Sequence, residues 1–493
     1  MSNSSPRFPH QIVGAQALLD NPALILGFRC GRGKTRTVVD AACALYQEDK
    51  IDTMIVVAPA GLRSIWADPS PVLGEVAKWL WPGLPHAITE YHAKTKLTSW
   101  QPEGLAIVIS NYEFLRRPER LDPLIAWAKG RRALLVIEES WGLQNPRSQQ
   151  TKAVWKLRMS CQRVVMLNGT LGNPSQQYAQ FAILSPRIFD MNFFQWRARF
   201  CRMGGWQAKQ IVGYTNEEEY ARRTAPYVLT EDGGDDFARV APPVYTTIDA
   251  RLTPETWKVY ADLRDDFLAY LGDGTATALQ AGVRAMRLAQ VVNGFVGGVE
   301  WAEVDLLDPL DTRSTMRSTV QELDREKLDA LIGYLTDVGC PSKVLIFTRF
   351  RPDVERTVRV LTETFPNHRV VPLYGGQTPE AQDEAKRLLA PGGDARPAIV
   401  VANAQSGGAG LNLTAAALCI FLANDHSLKN RRQAEGRIDR AGQTGRVTFV
   451  DIIASGPAGQ STVDRAIVSA LRKKEDLAQW SIEAWRRCVM GEG

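Results

Sequence analysis

Residues 21–45 read NPALILGFRCGRGKTRTVVDAACAL. This stretch passes from an apolar strand through a glycine-bearing turn into an amphipathic helix, which is the order that a P-loop requires. Backbone N–H groups of Gly31 to Thr35 would surround the β- and γ-phosphates of a nucleotide, Lys34 would add a positive charge, and the Thr35 hydroxyl would bind magnesium. The pattern predicts nucleotide binding, although Phe28 stands where the full P-loop pattern has its first glycine.

A second strand, ALLVI, ends on two adjacent carboxylates, Glu138 and Glu139. A P-loop needs such a strand, because magnesium requires acidic support and the attacking water must be oriented. In this role Glu138 would hold the water shell of magnesium and Glu139 would polarise the nucleophilic water. Alone, an acidic pair after a strand is more often the charged start of a surface loop.

Length and composition narrow the class of protein. A chain of 493 residues exceeds what one core usually supports, which predicts two or more domains. The N-terminus has no apolar signal-peptide core, and no apolar run approaches the roughly 20 residues of a membrane span. A cytoplasmic protein without membrane contact is therefore expected. Seven cysteines without a C-x-x-C pair and five histidines without an H-E-x-x-H motif support neither a zinc site nor a disulfide framework.

Strand and helix patterns alternate again in the second half of the chain, from KVLIFTRF to RVTFVDIIA, which predicts another parallel α/β lobe. Its most basic stretch is KNRRQAEGRIDRAGQTGR, in a chain of net charge +5. Arg437 and Arg440 lie three residues apart, so they are predicted to share one helical face. They could act as arginine fingers on a γ-phosphate, or they could belong to an exposed basic helix.

The order of these motifs resembles the superfamily-two helicase-like ATPases, and specifically the Swi/Snf (Snf-two) family of double-stranded DNA translocases in its short phage and bacterial form. The resemblance rests on FPHQIVGAQAL, FRCGRGKT, VVAPAGLRSIW, VISNYEFLRR, VIEESW, VVMLNGTLGNP, LIFTRF, ANAQSGGAGLNLTAA and QAEGRIDRAGQT. It implies an α/β fold of two RecA-like parallel-sheet lobes with helical insertions and a C-terminal brace helix.

The resemblance and the patterns together predict six parts of the chain. They are lobe 1 with the P-loop and acidic motif at 1–185, a helical protrusion at 186–229, an interlobe linker at 230–253, a second helical protrusion with a polar loop at 254–326, lobe 2 with the arginine fingers at 327–460, and the brace helix at 461–493.

The resemblance also implies a mechanism in which ATP and magnesium bind between the lobes and closure moves one lobe along a DNA strand. The residues that would bind nucleotide or metal are Gln11, Gly31, Gly33, Lys34, Thr35, Glu138 and Gln433. The residues with catalytic roles would be Lys34, Glu139, Arg437 and Arg440. Backbone N–H groups of Ser406, Gly407 and Gly408 would contact DNA phosphates, with little sequence specificity.

Three positions depart from the family pattern, which usually has Asp for Glu138, His for Trp141 and a different residue for Phe28. The family also commonly has Thr where this chain has Asn168. The longer Glu138 side chain extends by roughly 1.5 Å, and a misplacement of about 1 Å can cost on the order of 10²-fold in rate. Slowed but present hydrolysis is therefore expected. An indole has one donor and no acceptor, so Trp141 cannot reproduce the bonding of an imidazole. We hypothesise that Asn168 is a change that compensates for Trp141.

The leading hypothesis is a monomeric ATP-dependent DNA translocase in replication, recombination or repair. A nucleotide-gated DNA-binding protein with weak or no hydrolysis is the alternative, motivated by Glu138 and Trp141. An RNA helicase is disfavoured because the last two motifs, ANAQSGGAGLNLTAA and QAEGRIDRAGQT, resemble those of the Snf-two family.

Overall fold

The structure is a computed structural model, and it describes eleven ranges of the chain. These are residues 7–29, 31–71, 74–169, 173–204, 210–231, 242–272, 278–300, 317–403, 412–424, 427–440 and 442–473. The described residues divide into two compact units, one ending at Glu231 and the other beginning at Pro242. Each unit contains its own parallel sheet, so the predicted fold class of two parallel α/β lobes is confirmed.

The first unit contains nine strands and ten α-helices among its described residues. The strands are β1 (Ala23–Leu26), β2 (Thr53–Ala58), β3 (His86–Glu90), β4 (Leu105–Asn111), β5 (Ala133–Ile137), β6 (Arg163–Leu167), β7 (Cys201–Gly204), β8 (Gln210–Tyr214) and β9 (Val228–Leu229). The helices are α1 (Pro9–Asp20), α2 (Lys34–Gln47), α3 (Ala60–Ala67), α4 (Glu75–Trp79), α5 (Tyr112–Leu115), α6 (Pro118–Ala128), α7 (Gln149–Arg158), α8 (Pro174–Leu184), α9 (Phe193–Phe200) and α10 (Glu217–Thr224).

The first sheet has the order β3-β4-β2-β5-β6-β1-β9, and every neighbouring pair is parallel. All residues of β2, β4 and β5 are buried, because helices cover both faces of a parallel sheet. Strands β5, β6 and β1 are adjacent, and the carboxyl ends of parallel strands share one edge. The acid pair after β5 and the glycine turn after β1 therefore lie roughly 10 Å apart, separated by one strand.

The second unit has eight strands and seven α-helices in the part of it that the structure describes. The strands are β10 (Val244–Arg251), β11 (Phe295–Glu300), β12 (Arg317–Glu322), β13 (Lys343–Thr348), β14 (Arg369–Leu373), β15 (Ala398–Asn403), β16 (Leu418–Phe421) and β17 (Thr448–Ser455). The helices are α11 (Pro254–Gly272), α12 (Ala278–Val292), α13 (Glu326–Asp337), α14 (Arg351–Thr364), α15 (Pro379–Leu389), α16 (Leu428–Glu435) and α17 (Val463–Arg472). The main sheet has the order β10-β17-β16-β13-β15-β14, again all parallel.

Two segments differ from the sequence-based expectation. Part of the expected linker, Val244–Arg251, is a strand that pairs with β17 over eight residues, and its burial alternates as expected for an edge strand. The segment expected to be a helical protrusion at 186–229 also contains the β7–β8 hairpin, and its last strand, β9, joins the first sheet beside β1. Backbone pairing with an existing sheet edge overrode the loop-like and helical patterns of these residues.

Helix α17 lies where the C-terminal brace helix was predicted, and it packs in one core with α11 and α12. The Val463 N–H donates to the Tyr260 hydroxyl at 2.8 Å. Buried Lys327 donates to Asp464 at 2.7 Å and to Asn293 at 3.0 Å, which ties α13 and α12 to α17. No helix among the described residues is long and apolar enough to cross a membrane.

We expect Lys327→Ala to lower the melting temperature of the protein, because it leaves the Asp464 carboxylate buried without its cation. Breaking a buried pair costs about 3–5 kcal/mol, which corresponds to roughly 6 to 15 °C in a unit of this size. The matched control is Arg325→Ala, since Arg325 pairs with Asp329 on the surface, where such pairs contribute about 0–1 kcal/mol. The melting temperatures are measured by circular dichroism. Equal decreases for the two variants would contradict a stabilising role of the buried Lys327–Asp464 pair.

Candidate nucleotide site

The turn after β1 has the backbone of a phosphate-binding loop. Gly31 and Gly33 have φ values of 79° and 74°, a left-handed conformation that glycine adopts at little cost. Gly33 is the N-cap of α2, whose first turn contains Lys34 and Thr35. The unsatisfied N–H groups of that turn and the positive end of the helix dipole make this a suitable anion site.

Gln11 packs against this loop. Its side chain is buried, its Nε2 donates to the Arg32 carbonyl at 3.4 Å, and its Oε1 accepts from the Phe8 N–H at 3.2 Å. A Cβ added at Gly33 would overlap the Gln11 amide nitrogen. The glutamine expected to recognise adenine therefore contacts the loop directly, and Gly33 is required by this close approach as well as by its φ.

Phe28 occupies the position where the full P-loop pattern has a glycine, and the structure shows how the chain accommodates it. The ring is 1% exposed and meets the His10 ring edge-on at a centroid distance of 5.4 Å. A Cβ on Gly14 of α1 would lie 2.9 Å from the tip of the ring. The side chain is thus part of the core, and only the Phe28 carbonyl faces the loop, where it accepts from Lys34 Nζ at 2.9 Å.

A carboxylate that belongs to no sequence motif also lies at this loop. Glu231, two residues after β9, is 3.3 Å from Arg32 Nε, and both side chains are buried. The Arg29 N–H donates to the same Glu231 oxygen at 3.4 Å. Glu231 is 202 residues from Arg29 in sequence, so only the pairing of β9 with β1 brings it here.

The acid pair directly follows β5, as predicted, and both residues are buried. The Trp66 side chain hydrogen-bonds Glu138, whereas Glu138 Oε2 is buried without a hydrogen-bond partner. Burial, and after it the proximity of Glu139, raises the pKa of Glu138 to about 8, while Lys34 opposes the shift. A buried carboxylate oxygen that lacks a partner fits a cation ligand, and hydroxyl and carboxylate oxygens are the donors that Mg²⁺ prefers.

Glu139 has a left-handed backbone, with φ 50° and ψ 50°, and precedes the 3₁₀ helix Ser140–Leu143. Its Oε2 accepts from the Trp141 indole N–H at 2.5 Å. The tryptophan that replaces the histidine of the family pattern therefore binds the second acid of the pair itself.

A buried network connects the acid pair with the end of β6. The Tyr112 hydroxyl donates to the Glu138 carbonyl at 2.7 Å. The Ser140 hydroxyl and the Asn168 amide both donate to Gln180 Oε1, at 2.8 and 3.0 Å. These contacts link Asn168 to the acidic motif through Gln180 and Ser140, a route that the sequence hypothesis of a Trp141–Asn168 pair did not contain. Gln180 has no sequence signal, because it lies inside an ordinary helical pattern of α8.

The arginine motif of the second unit departs from the prediction in one respect. Helix α16 ends at Glu435 with Gly436 as its C-cap, so Arg437 and Arg440 lie in the turn beyond it and do not share a helical face. Arg437 is 3% exposed, with its guanidinium 5.8 Å from the centroid of the Phe347 ring. Arg440 and Gln433 are half-buried. The pattern of charges did not reveal that the helix ends at Glu435.

Arg431 is a buried residue of the same motif that the sequence reasoning missed. Its guanidinium pairs with Asp451 and with Glu435, donates to Asn424, and lies 3.6 Å from the centroid of the Phe421 ring. These contacts fix α16 against the ends of β16 and β17. Ser406, Gly407 and Gly408, the residues predicted to contact DNA phosphates, lie outside the described residues.

Comparison with known proteins agrees with this arrangement. Residues 326–442 match the family model described as the helicase conserved C-terminal domain. An uncharacterized ATP-dependent helicase of Mycoplasma genitalium is 22% identical over 94% of the chain, and the transcription regulatory protein SNF2 of Saccharomyces cerevisiae is 23% identical over 93%. The chain is thus similar to helicase-like ATPases of the Swi/Snf type.

Both relatives are longer proteins, since the chain spans 41% of the Mycoplasma relative and 26% of the yeast one. Among solved structures, the SWI2/SNF2 ATPase core of Sulfolobus solfataricus in complex with double-stranded DNA aligns with 99% of this chain and 98% of its own. That alignment has 20% identity and a TM-score of 0.42.

We expect Gly33→Ala to weaken nucleotide binding and to lower the melting temperature. A methyl group there imposes a strained left-handed backbone, at a cost of about 1–3 kcal/mol, and displaces Gln11. Gly130→Ala is the matched control, because nothing lies within 4 Å of a Cβ at that position. The measurements are calorimetric titration with an ATP analogue and thermal melting, and unchanged affinity in Gly33→Ala would contradict the loop assignment.

Proposed function

We propose that this chain is an ATP-dependent translocase on double-stranded DNA, acting in replication, recombination or repair. The observation that supports it best is the juxtaposition of Lys34 in a phosphate-type loop with the buried acid Glu138, whose Oε2 lacks a partner. Similarity to SNF2 and to a Mycoplasma protein described as an ATP-dependent helicase supports the same proposal.

In this proposal the loop binds the triphosphate of ATP. Lys34 Nζ donates to the Phe28 and Arg29 carbonyls, at 2.9 and 3.3 Å, and it would exchange these for phosphate oxygens. Gln11, held against the loop, recognises adenine. The Thr35 hydroxyl and the Glu138 carboxylate hold magnesium, which would neutralise charge on the phosphates when bound.

Glu139 is proposed to orient the attacking water, because it follows Glu138 at the same strand end and its side chain is fixed by a hydrogen bond. Arg437 and Arg440 are proposed as the arginine fingers, Gln433 as a further nucleotide contact, and Ser406, Gly407 and Gly408 as contacts to DNA phosphates. The six-part division of the chain given above stays a proposal as well, with 244–251 assigned to the second sheet.

A second candidate function is a nucleotide-gated DNA-binding protein with weak hydrolysis. The raised pKa of Glu138, about 8, favours it to a degree, since a protonated acid is a poor magnesium ligand. Bound magnesium would lower that pKa again, because an adjacent cation stabilises the carboxylate. Hydrolysis therefore remains the function that the site supports better.

The enzyme proposal predicts magnesium-dependent ATP hydrolysis that Lys34→Ala reduces by at least about 10²-fold, since phosphate charge is then uncompensated. Lys50→Ala is the control: Lys50 is a half-exposed lysine of the same unit that pairs with Glu48. Phosphate release is the measurement. ATP binding without magnesium-dependent turnover would instead favour the nucleotide-gated binding protein.

The choice of nucleic acid is tested by the same assay with single-stranded DNA, duplex DNA, forked DNA and RNA. We expect duplex or forked DNA to stimulate turnover severalfold, and stimulation to fall with added salt because phosphate contacts release counterions. Stimulation by RNA alone would overturn the DNA assignment and indicate an RNA helicase.

A further inference from the structure

Glu139 stands in a backbone conformation that residues with a side chain seldom adopt. The left-handed region costs a non-glycine residue roughly 1–2 kcal/mol, so the surrounding structure must hold it there. The conformation directly follows a fully buried strand and precedes a 3₁₀ helix with buried Ser140 and Leu143. The direction of the Glu139 side chain is therefore imposed by its surroundings.

The residues on both sides of Glu139 form hydrogen bonds with buried side chains. The carbonyl before it, on Glu138, accepts from Tyr112, and Ser140 after it donates to Gln180. With the backbone fixed in this way, the freedom that remains to Glu139 is rotation about its side-chain bonds. Orientation of the carboxylate then depends on what the side chain contacts.

Trp141 supplies that contact. Its indole N–H donates to Glu139 Oε2 at 2.5 Å, and Trp141 is half-buried in the same 3₁₀ helix. An indole is rigid and has one donor and no acceptor, so it bonds only to an acceptor placed along its N–H direction. Charge-assisted bonds of this kind are about twice as strong as neutral ones.

We propose that Trp141 is a positioning residue, which holds the Glu139 carboxylate in the single orientation from which it directs the attacking water. The role rests on the proposed ATPase function, and Trp141 acts only through Glu139. A residue that can only donate fixes the acid in place, whereas an imidazole could exchange donor and acceptor roles. Compared with a histidine, a tryptophan at position 141 would thus allow the Glu139 carboxylate fewer orientations.

The test compares Trp141→Phe, which retains a ring and removes the donor, with Trp155→Phe, the same substitution at a half-buried tryptophan on α7. We expect Trp141→Phe to lower kcat by about 10- to 100-fold, because a misplaced group costs that much. The KM for ATP and the Kd for ADP should stay within about threefold, since only transition-state stabilisation is lost. Trp155→Phe should change none of them, and Trp141→His, which has a ring N–H, should recover part of kcat.

A double-mutant cycle with Glu139→Gln separates positioning from a structural role. If Trp141 acts only through Glu139, adding Trp141→Phe to Glu139→Gln should leave the residual kcat unchanged. If Trp141 instead contributed independently of Glu139, the losses in kcat of the two single variants would multiply in the double variant. The cycle is informative even where Trp141→Phe lowers the melting temperature, because the comparison is made within the Glu139→Gln background.

The outcomes are distinguishable from a failure of the proposed function. Wild-type protein without magnesium-dependent turnover would overturn the ATPase proposal and this role with it. Normal wild-type turnover that Trp141→Phe leaves unchanged or increases would overturn the positioning role alone. Multiplicative losses in the cycle, or parallel changes in kcat and KM for both Trp141 variants, would do the same.

Discussion

The parallel adjacency of β5, β6 and β1 is the constraint on which the candidate site depends. Because parallel strands end at one edge, it brings the glycine turn, the acid pair and Asn168 together from positions more than a hundred residues apart. Helices must cover both faces of such a sheet, which explains why the strands are apolar throughout and why the polar groups are confined to the edge. The polar residues of the candidate site therefore lie directly after the carboxyl ends of the buried strands.

Burial at that edge gives the site its electrostatic character. Glu138 and Glu139 are both nearly inaccessible to water, and burial, followed by the proximity of Glu139, raises the pKa of Glu138 to about 8. The lysine of the loop opposes the shift, but Glu138 Oε2 still lacks a partner. The protein thus maintains an unfavourable arrangement that a cation would relieve, which is typical of sites prepared for a charged ligand.

Two departures from the family pattern have a structural explanation in this chain. Phe28 is compatible with the loop because only its backbone faces Lys34, while its ring fills space against Gly14 of α1. Trp141 bonds to Glu139 directly, and the connection from the acidic motif to Asn168 passes through Ser140 and Gln180. The acidic motif is therefore connected in two ways, by an indole donor to Glu139 and by a separate buried network that reaches Asn168.

The sequence by itself determined the fold class and the positions of the glycine turn and of the acid pair after their strands, because apolar strand runs and glycine turns are local patterns with local causes. The sequence placed Arg437 and Arg440 on a helix, but α16 ends at Glu435, before both arginines. It assigned residues 244–251 to a linker, but these residues pair with β17 and form strand β10. Tertiary structure alone decided the roles of Glu231, Gln180 and Trp141. Glu231 contacts the loop from about 200 residues away in sequence, and Gln180 contacts Ser140 of the acidic motif from 40 residues away. A side-chain hydrogen bond depends on the direction of both side chains in the folded structure, which the spacing of residues in the sequence does not give.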